Sequence, residues 1–246
     1  MSYVCWFGLA LAVISLLGLG ASGPGYRLGL WGFETGLGVA KYSAYLSFAA
    51  VIVCVLGLAL WISGFGPTGP TPALIGLVIG GFVSVWMLRW KHNLDGVPYI
   101  HDITTDTENP PRFEAVLPLR AGAPNSAEYG GPELARQQKQ GYPDLTPGSL
   151  NTSPAETFPR ALQAARDMGW EIVASDPKSL RIEATDTTAW FGFKDDVVVR
   201  LANSPLGSRI DVRSVSRVGK SDVGTNARRI KAYLARVKQS PVTPTE

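Results

Sequence analysis

Residues Ile182 to Leu201 read IEATDTTAWFGFKDDVVVRL. Ile182 and Ala184 alternate with Glu183 and Thr185, and Val197, Val199 and Leu201 fall on one side of a second run, so period-two patterning predicts two strands that share a buried face. Between the runs lie the polar tip Thr185-Asp186-Thr187-Thr188, three aromatics (Trp190, Phe191, Phe193) around Gly192, and the pair Asp195-Asp196. An Asn-Gly turn would close such a hairpin with far less side chain. The aromatics therefore either plug the end of a small sheet or form one wall of a binding patch, with Arg209, Arg213 and Arg217 supplying charge nearby.

Outward from this hairpin the same alternation continues. Trp170, Ile172 and Ala174 mark a strand over Trp170–Ser175, and Ile210 and Val212 mark another, with turns at Asp176-Pro177 and at Asn203-Ser204-Pro205-Leu206-Gly207. A helix is predicted before the strands. Ser153-Pro154-Ala155-Glu156 offers an N-cap, a first-position proline and the glutamate of a capping box; a start at Thr157 would instead put Pro159 in the first turn. Phe158, Leu162, Ala165 and Met168 then share a face, and Gly169 ends the helix. A last helix, about Val223 to Lys238, has Val223, Ala227, Ile230, Leu234 and Val237 on one side and Ser221 or Asp222 as cap. The expected fold of residues 153–240 is an α+β domain, an antiparallel four-stranded sheet with two helices on one face, followed by a disordered tail at 241–246. The opposite face presents Arg181, Glu183, Thr185, Asp196, Arg200, Arg209, Asp211 and Arg213, which reads as a solvated surface of cross-strand ion pairs, the alternative being a face that recognises a charged ligand or partner.

The 46% hydrophobic content is unevenly spread, for nearly all long apolar runs precede residue 91. Tyr3–Ala21, Tyr42–Ile62 and Ala73–Trp90 each suffice to cross a bilayer, so residues 1–92 are expected to form a three-helix transmembrane anchor. The Met-Ser-Tyr start has no basic residue for a signal-peptide n-region, which favours a retained first span. Gly8 with Ala12, and Gly76 with Gly80, have the spacing at which helix backbones approach closely in lipid. Residues 23–38, with Tyr26, Trp31 and Phe33, suit an interfacial segment, and GFGPTGPTP (64–72) suits a proline-held turn. Arg27 and Lys41, together with Arg89 and Lys91, place the first connection and the domain beyond the third span on one side, the cytoplasm by the positive-inside rule. Between the two parts, residues 93–152 hold eight prolines, which break up any long element. Their aromatic and aliphatic residues (Phe113, Val116, Leu117, Tyr129, Tyr142, Leu145) favour an extended segment wrapping the soluble domain over a bare stalk.

The motifs exclude more than they assign. A net charge of +3 without a basic arm gives no footprint for nucleic acid. Cys5 and Cys54 both lie in apolar runs and make neither a disulfide framework nor a metal site. GLGASG (18–23) spells GxGxxG but follows no strand, and Val218-Gly219-Lys220-Ser221 lacks the upstream glycine of a phosphate loop. Gly219, Lys220 and Ser221 still lie at a helix start where backbone amides hold anions, with Asp222 a competitor for them. His101, Asp102 and Asp106 are the residues that a hydrolytic or metal-dependent reaction would use, although local turns explain the same run.

The runs PYIHDITTDTENPPRF (98–113), GYPDL (141–145), RIEATDTTAWFGFKDDVVVRL (181–201) and SRIDVRSVSRVGKSDVGTNARRI (208–230), in this order, resemble the family called domain of unknown function 1499, in its longer bacterial form with a three-helix membrane anchor. The resemblance covers about residues 97–237. It implies no established activity, joins the extended segment and the α+β domain into one unit, and carries over as candidate binding residues Asp186, Thr187, Trp190, Phe191, Asp195, Asp196, Arg209, Asp211, Arg213, Ser216, Arg217, Asp222 and Asn226. Some similar proteins look exported or plastid-lumenal, which argues for the periplasmic side of the inner membrane against the charge rule. The expected role is a non-catalytic interaction or ligand-binding module, an accessory or assembly subunit of a membrane complex. Membrane lipids and a protein are its expected partners, with no cofactor, metal or nucleic acid. The alternatives are a membrane-anchored enzyme using His101, Asp102 and Asp106, and a lipid-binding module with an apolar cavity between sheet and helices.

Overall fold

The computed structural model describes residues 3–65 and 69–239, and the chain divides into two compact units, Met1–Asp95 with Ala189–Gly192, and Gly96–Thr188 with Phe193–Glu246. The tail expected at 241–246 and part of the proline-held turn lie outside the described residues.

The first unit is built on three helices, α1 (Tyr3–Arg27), α2 (Phe33–Ile62) and α3 (Thr71–Asp95), each long and apolar enough to cross a membrane. They outrun the apolar stretches at several ends, so that only residues 28–32 separate α1 from α2. Hydropathy marks where water is excluded, whereas backbone hydrogen bonding carries a helix on past that point. Small residues line the seams. A Cβ added to Gly8 would stand 2.6 Å from Cys54 Sγ, and one added to Gly76 2.5 Å from the same sulfur, so all three helices converge on Cys54. Ala12 is fully buried, a Cβ at Gly80 would face the Ser47 carbonyl at 3.2 Å, and the Ser47 and Ser84 hydroxyls bond across α2 and α3 at 2.9 Å.

The second unit contains β1 (Asp102–Thr104), α4 (Gly131–Gly141), β2 (Gly148–Leu150), α5 (Pro154–Asp167), β3 (Glu171–Asp176), β4 (Arg181–Thr187), β5 (Lys194–Ser204), β6 (Gly207–Ser216) and α6 (Thr225–Gln239). The sheet has six strands rather than the expected four. It is antiparallel throughout, in the order β1-β6-β5-β4-β3, and β2 pairs with residues 208–210 of β6 while β1 pairs with residues 213–215 of the same strand. The two additional strands are three residues each and come from the proline-rich stretch, too short to show an alternation.

Helices α5 and α6 pack on one face over Trp170, Ile182, Ala184, Val197, Val199, Leu201, Ile210 and Val212. Ser153 caps α5 through a complete capping box with Glu156, Pro154 takes the first helical position, and the helix runs on through Pro159. Tyr233 of α6 stacks on Trp170 at 4.9 Å and donates its hydroxyl to the Ala161 carbonyl at 2.9 Å, joining both helices to the sheet. The other face is not open to solvent. Residues 105–130 lie across it, with Phe113 and Val116 packed on Val198 and Val215, and Glu183, Thr185, Asp196, Asp211 and Arg213 are all 2% exposed or less. The centre of the expected solvated charge ladder is therefore a buried layer, and only Arg181, Arg200 and Arg209 at its margin keep partial exposure.

Candidate functional site

On the helix-covered face the apolar rows end in a polar one. Asp186, Asp195 and Ser216 stand in register across β4, β5 and β6. Two carboxylates directly opposite on an antiparallel pair repel each other, and α6 supplies the remedy. Arg229 donates Nε to Asp186 Oδ2 and Nη2 to Asp195 Oδ2, both at 2.6 Å, and Nη1 to Ser214 Oγ and Asn226 Oδ1. Burial works against the Arg229 charge, but Asp195 and Asp186 outweigh it and hold its pKa above the ordinary guanidinium value. One helical turn earlier, Asn226 donates Nδ2 to the His101 carbonyl at 2.9 Å and to Ser216 Oγ at 3.1 Å, and accepts from Ser214 Oγ at 2.8 Å. Asp222 accepts the amides of Gly224 and Asn226, each at 2.8 Å. It thereby takes the donors that an anion at the start of α6 would use. Burial raises the Asp222 pKa, with the Asp195 charge adding to it, against the lowering by those two amides and by Arg229.

The covered charged face holds three further clusters. Asp196 receives Arg120 Nη1 at 2.6 Å, Arg217 through Nε at 2.9 Å and Nη2 at 2.8 Å, and Thr185 Oγ1 at 2.7 Å. Burial would raise its pKa, but the Arg217, Thr185 and Arg120 bonds overcome that and hold it below the ordinary carboxylate value. Arg213 makes a two-pronged bond to Asp102 at 2.9 and 2.8 Å, donates to the Pro111 and Ala127 carbonyls, and lies over the rings of Phe113 and Tyr129. Arg200 and Arg209 both bridge Asp106 to Asp211. Beside these, Glu183 accepts the amides of Glu114 and Val116, each at 2.9 Å, and Arg181 Nε at 2.8 Å.

The thirteen residues singled out in the sequence thus divide among separate places. Asp186, Asp195, Ser216, Asp222 and Asn226 surround Arg229. Asp196 pairs with Arg217, Arg213 with Asp102, and Arg209 with Asp211. Thr187 is exposed at the end of β4. Trp190 and Phe191 belong to the helical unit, where Trp190 Nε1 donates to Ser22 Oγ at 3.3 Å, Arg27 donates to the Ala189 carbonyl at 2.7 Å, and a Cβ at Gly36 would meet the Phe191 ring at 3.1 Å. Sequence reasoning missed Arg229 and Arg120. Arg229 lies one helical turn beyond Asn226 in the same run, and the two opposed aspartates were the signal that a cation had to meet them. Arg120 comes from a single 3-10 turn, Leu117–Arg120, in which no periodicity marks it.

His101, Asp102 and Asp106 form no joint centre. The His101 ring sits 3.4 Å from the Lys220 carbonyl, Asp102 is committed to Arg213, and Asp106 to Arg200, Arg209 and the amides of Glu108 and Asn109. Among the described residues no group of three or more His, Cys, Asp or Glu is arranged to hold a metal ion. The site residues are held as charge-assisted hydrogen bonds, an arrangement that fixes geometry and leaves these carboxylates little freedom to move a proton.

No curated protein matches the chain. The model of the family described as "Protein of unknown function (DUF1499)" matches residues 102–237, more than half of the chain and all six strands. With the whole sheet and all but the last two residues of α6 inside that match, the chain belongs to the DUF1499 family.

Proposed function

We propose that this protein is a membrane-anchored, non-catalytic interaction module, an accessory or assembly subunit of a membrane complex. The observation that carries this reading is the commitment of the acidic residues an enzyme would use: Asp102, Asp106, Asp195 and Asp196 each accept from at least one guanidinium. A general base needs a carboxylate that can take up a proton, and a neighbouring guanidinium opposes that uptake. The surface of the α+β unit offers a contact instead. Leu117 and Leu119 are 46% and 51% exposed on the 3-10 turn whose last residue, Arg120, is anchored to Asp196, so an apolar pair is presented on a rigid base.

The test is native mass spectrometry of the full chain released gently from its own membrane. The reading expects a protein bound at fixed stoichiometry, lost when Leu117 and Leu119 are both replaced by Ser while α+β folding is kept. Loss of a measured hydrolytic activity in a folded His101→Ala variant would overturn it in favour of the enzyme.

A further inference from the structure

The last three turns of α3 carry a mixed apolar and basic stripe. Val85, Leu88, Arg89, His92 and Asn93 line an open groove of about 440 Å³. Positions 85, 88, 89 and 92 follow helical spacing, so they form one continuous stripe that passes from apolar to basic towards the end of the span. The flanks have the composition of a membrane–water boundary, with Trp86 and Trp90 half exposed and Phe82 packed edge-on against Trp86 at 5.9 Å.

The charges of the stripe are not equivalent. Lys91 is tied to Asp95 at 2.5 Å. Arg89 and His92, both exposed, have no carboxylate partner among the described residues. This contrasts with the guanidiniums of the α+β unit that hold its buried carboxylates. A free guanidinium beside an imidazole and a carboxamide, at the polar end of an aliphatic groove, suits a phosphodiester joined to a hydrocarbon chain.

We propose that this stripe of α3 is a binding site for an anionic phospholipid. Val85 and Leu88 contact the acyl chain, Arg89 takes the phosphate with its two-pronged fork, and His92 and Asn93 donate to the remaining headgroup oxygens. The site rests on the reading of α3 as a membrane span. Its ligand is a lipid rather than a free anion because the apolar half of the groove has no role in holding phosphate alone.

The experiment uses the full chain in a non-ionic detergent, with phosphatidylglycerol and phosphatidylcholine of matched chains added in equal amounts and adducts counted by native mass spectrometry. Phosphatidylglycerol should be retained about fivefold more, the scale of one basic residue near an anionic headgroup. That preference should fall to parity in the Arg89→Gln/His92→Ala double variant and persist in Lys91→Gln. Parity in the unaltered chain, a preference that survives the double variant, an equal loss with Lys91→Gln, or competition by millimolar inorganic phosphate would each overturn the proposal. Flotation with pure phosphatidylcholine vesicles separates the two readings. A chain that fails to float refutes the membrane anchoring itself, whereas one that floats without lipid preference refutes only the site.

Discussion

Replacing Arg229 by Met keeps an unbranched stem of similar length in the core and deletes the charge. The structure sets the size of the effect. Asp195 is 3% exposed and Arg229 4%, so their pair lies out of water, while Asp186 is 27% exposed and partly solvated. Removing one partner of a buried pair costs about 3–5 kcal/mol, because the other charge stays behind unpaired. Here two carboxylates stay behind in direct register, whereas the contact to Asp186 adds only about 0.2–1 kcal/mol. Against a total domain stability of about 5–15 kcal/mol, Arg229→Met leaves the α+β unit marginal. Hydrogen exchange of the full chain in detergent, read on peptides from β5 and β6, should show protection falling by about two to four orders of magnitude. Adding Asp195→Asn to the variant removes the repulsion and should recover part of the loss. A fall of less than about tenfold, or a double variant no better protected than Arg229→Met, would refute the account of Arg229 as the cation that lets the two strands pair.

Three further outcomes are expected. The Asp196 pKa lies below its ordinary value of 3.8, so its stabilisation is present above that pH and is lost as pH falls through the folded-state value; thermal melts from pH 6 downward should show a shallower acid slope in Asp196→Asn, and an unchanged slope would contradict the pairing. Gly76→Ile forces atoms into the space of Cys54 Sγ and the Leu9 backbone and should cost about 1–3 kcal/mol, with Cys54→Ala restoring part; an unaltered melting temperature in detergent would show that α1, α2 and α3 do not meet there. Glu183→Gln can accept from only one of the Glu114 and Val116 amides through its remaining oxygen, so exchange should accelerate at residues 113–117 while β5 stays protected, and a uniform acceleration would count against a local clamp.

The strands that alternate over four or more residues were legible, as were the three apolar helices and the capped start of α5, because each rests on a local pattern. β1 and β2 were not, for three residues contain no period and both depend on the free edge of β6. The charged face was misread for a related reason. Alternation reports that Glu183, Asp196 and Arg213 share a side, but whether that side meets water depends on where residues 105–130 lie, which is a long-range matter. The candidate residues were legible as types and not as a constellation: Asp195 and Asp196 are neighbours in sequence, yet a strand turns them to opposite faces, one towards Arg229 and the other towards Arg120 and Arg217.

The burial of so many charges has a physical reason in the segment that covers them. A buried ion pair does not outperform an apolar pair of equal volume, so stability alone would favour valines and leucines on that face. Residues 105–130, however, bring only Phe113 and Val116 to the apolar cluster there, with Ala127 packed beside it. Two side chains and an alanine do not fix the register of an irregular chain on a sheet, since apolar contact has no direction. Hydrogen bonds to ions do. Glu183 holds the amides of Glu114 and Val116, Arg213 holds the carbonyls of Pro111 and Ala127, and Arg120 reaches down to Asp196 while also donating to the carbonyl of Asn125. Each contact joins a fixed strand position to a single residue of the covering segment, so sliding by one residue breaks several at once. The charges therefore act as a register code for a segment whose only regular element among the described residues is the 3-10 turn Leu117–Arg120, which leaves Leu117 and Leu119 at a defined place on the surface.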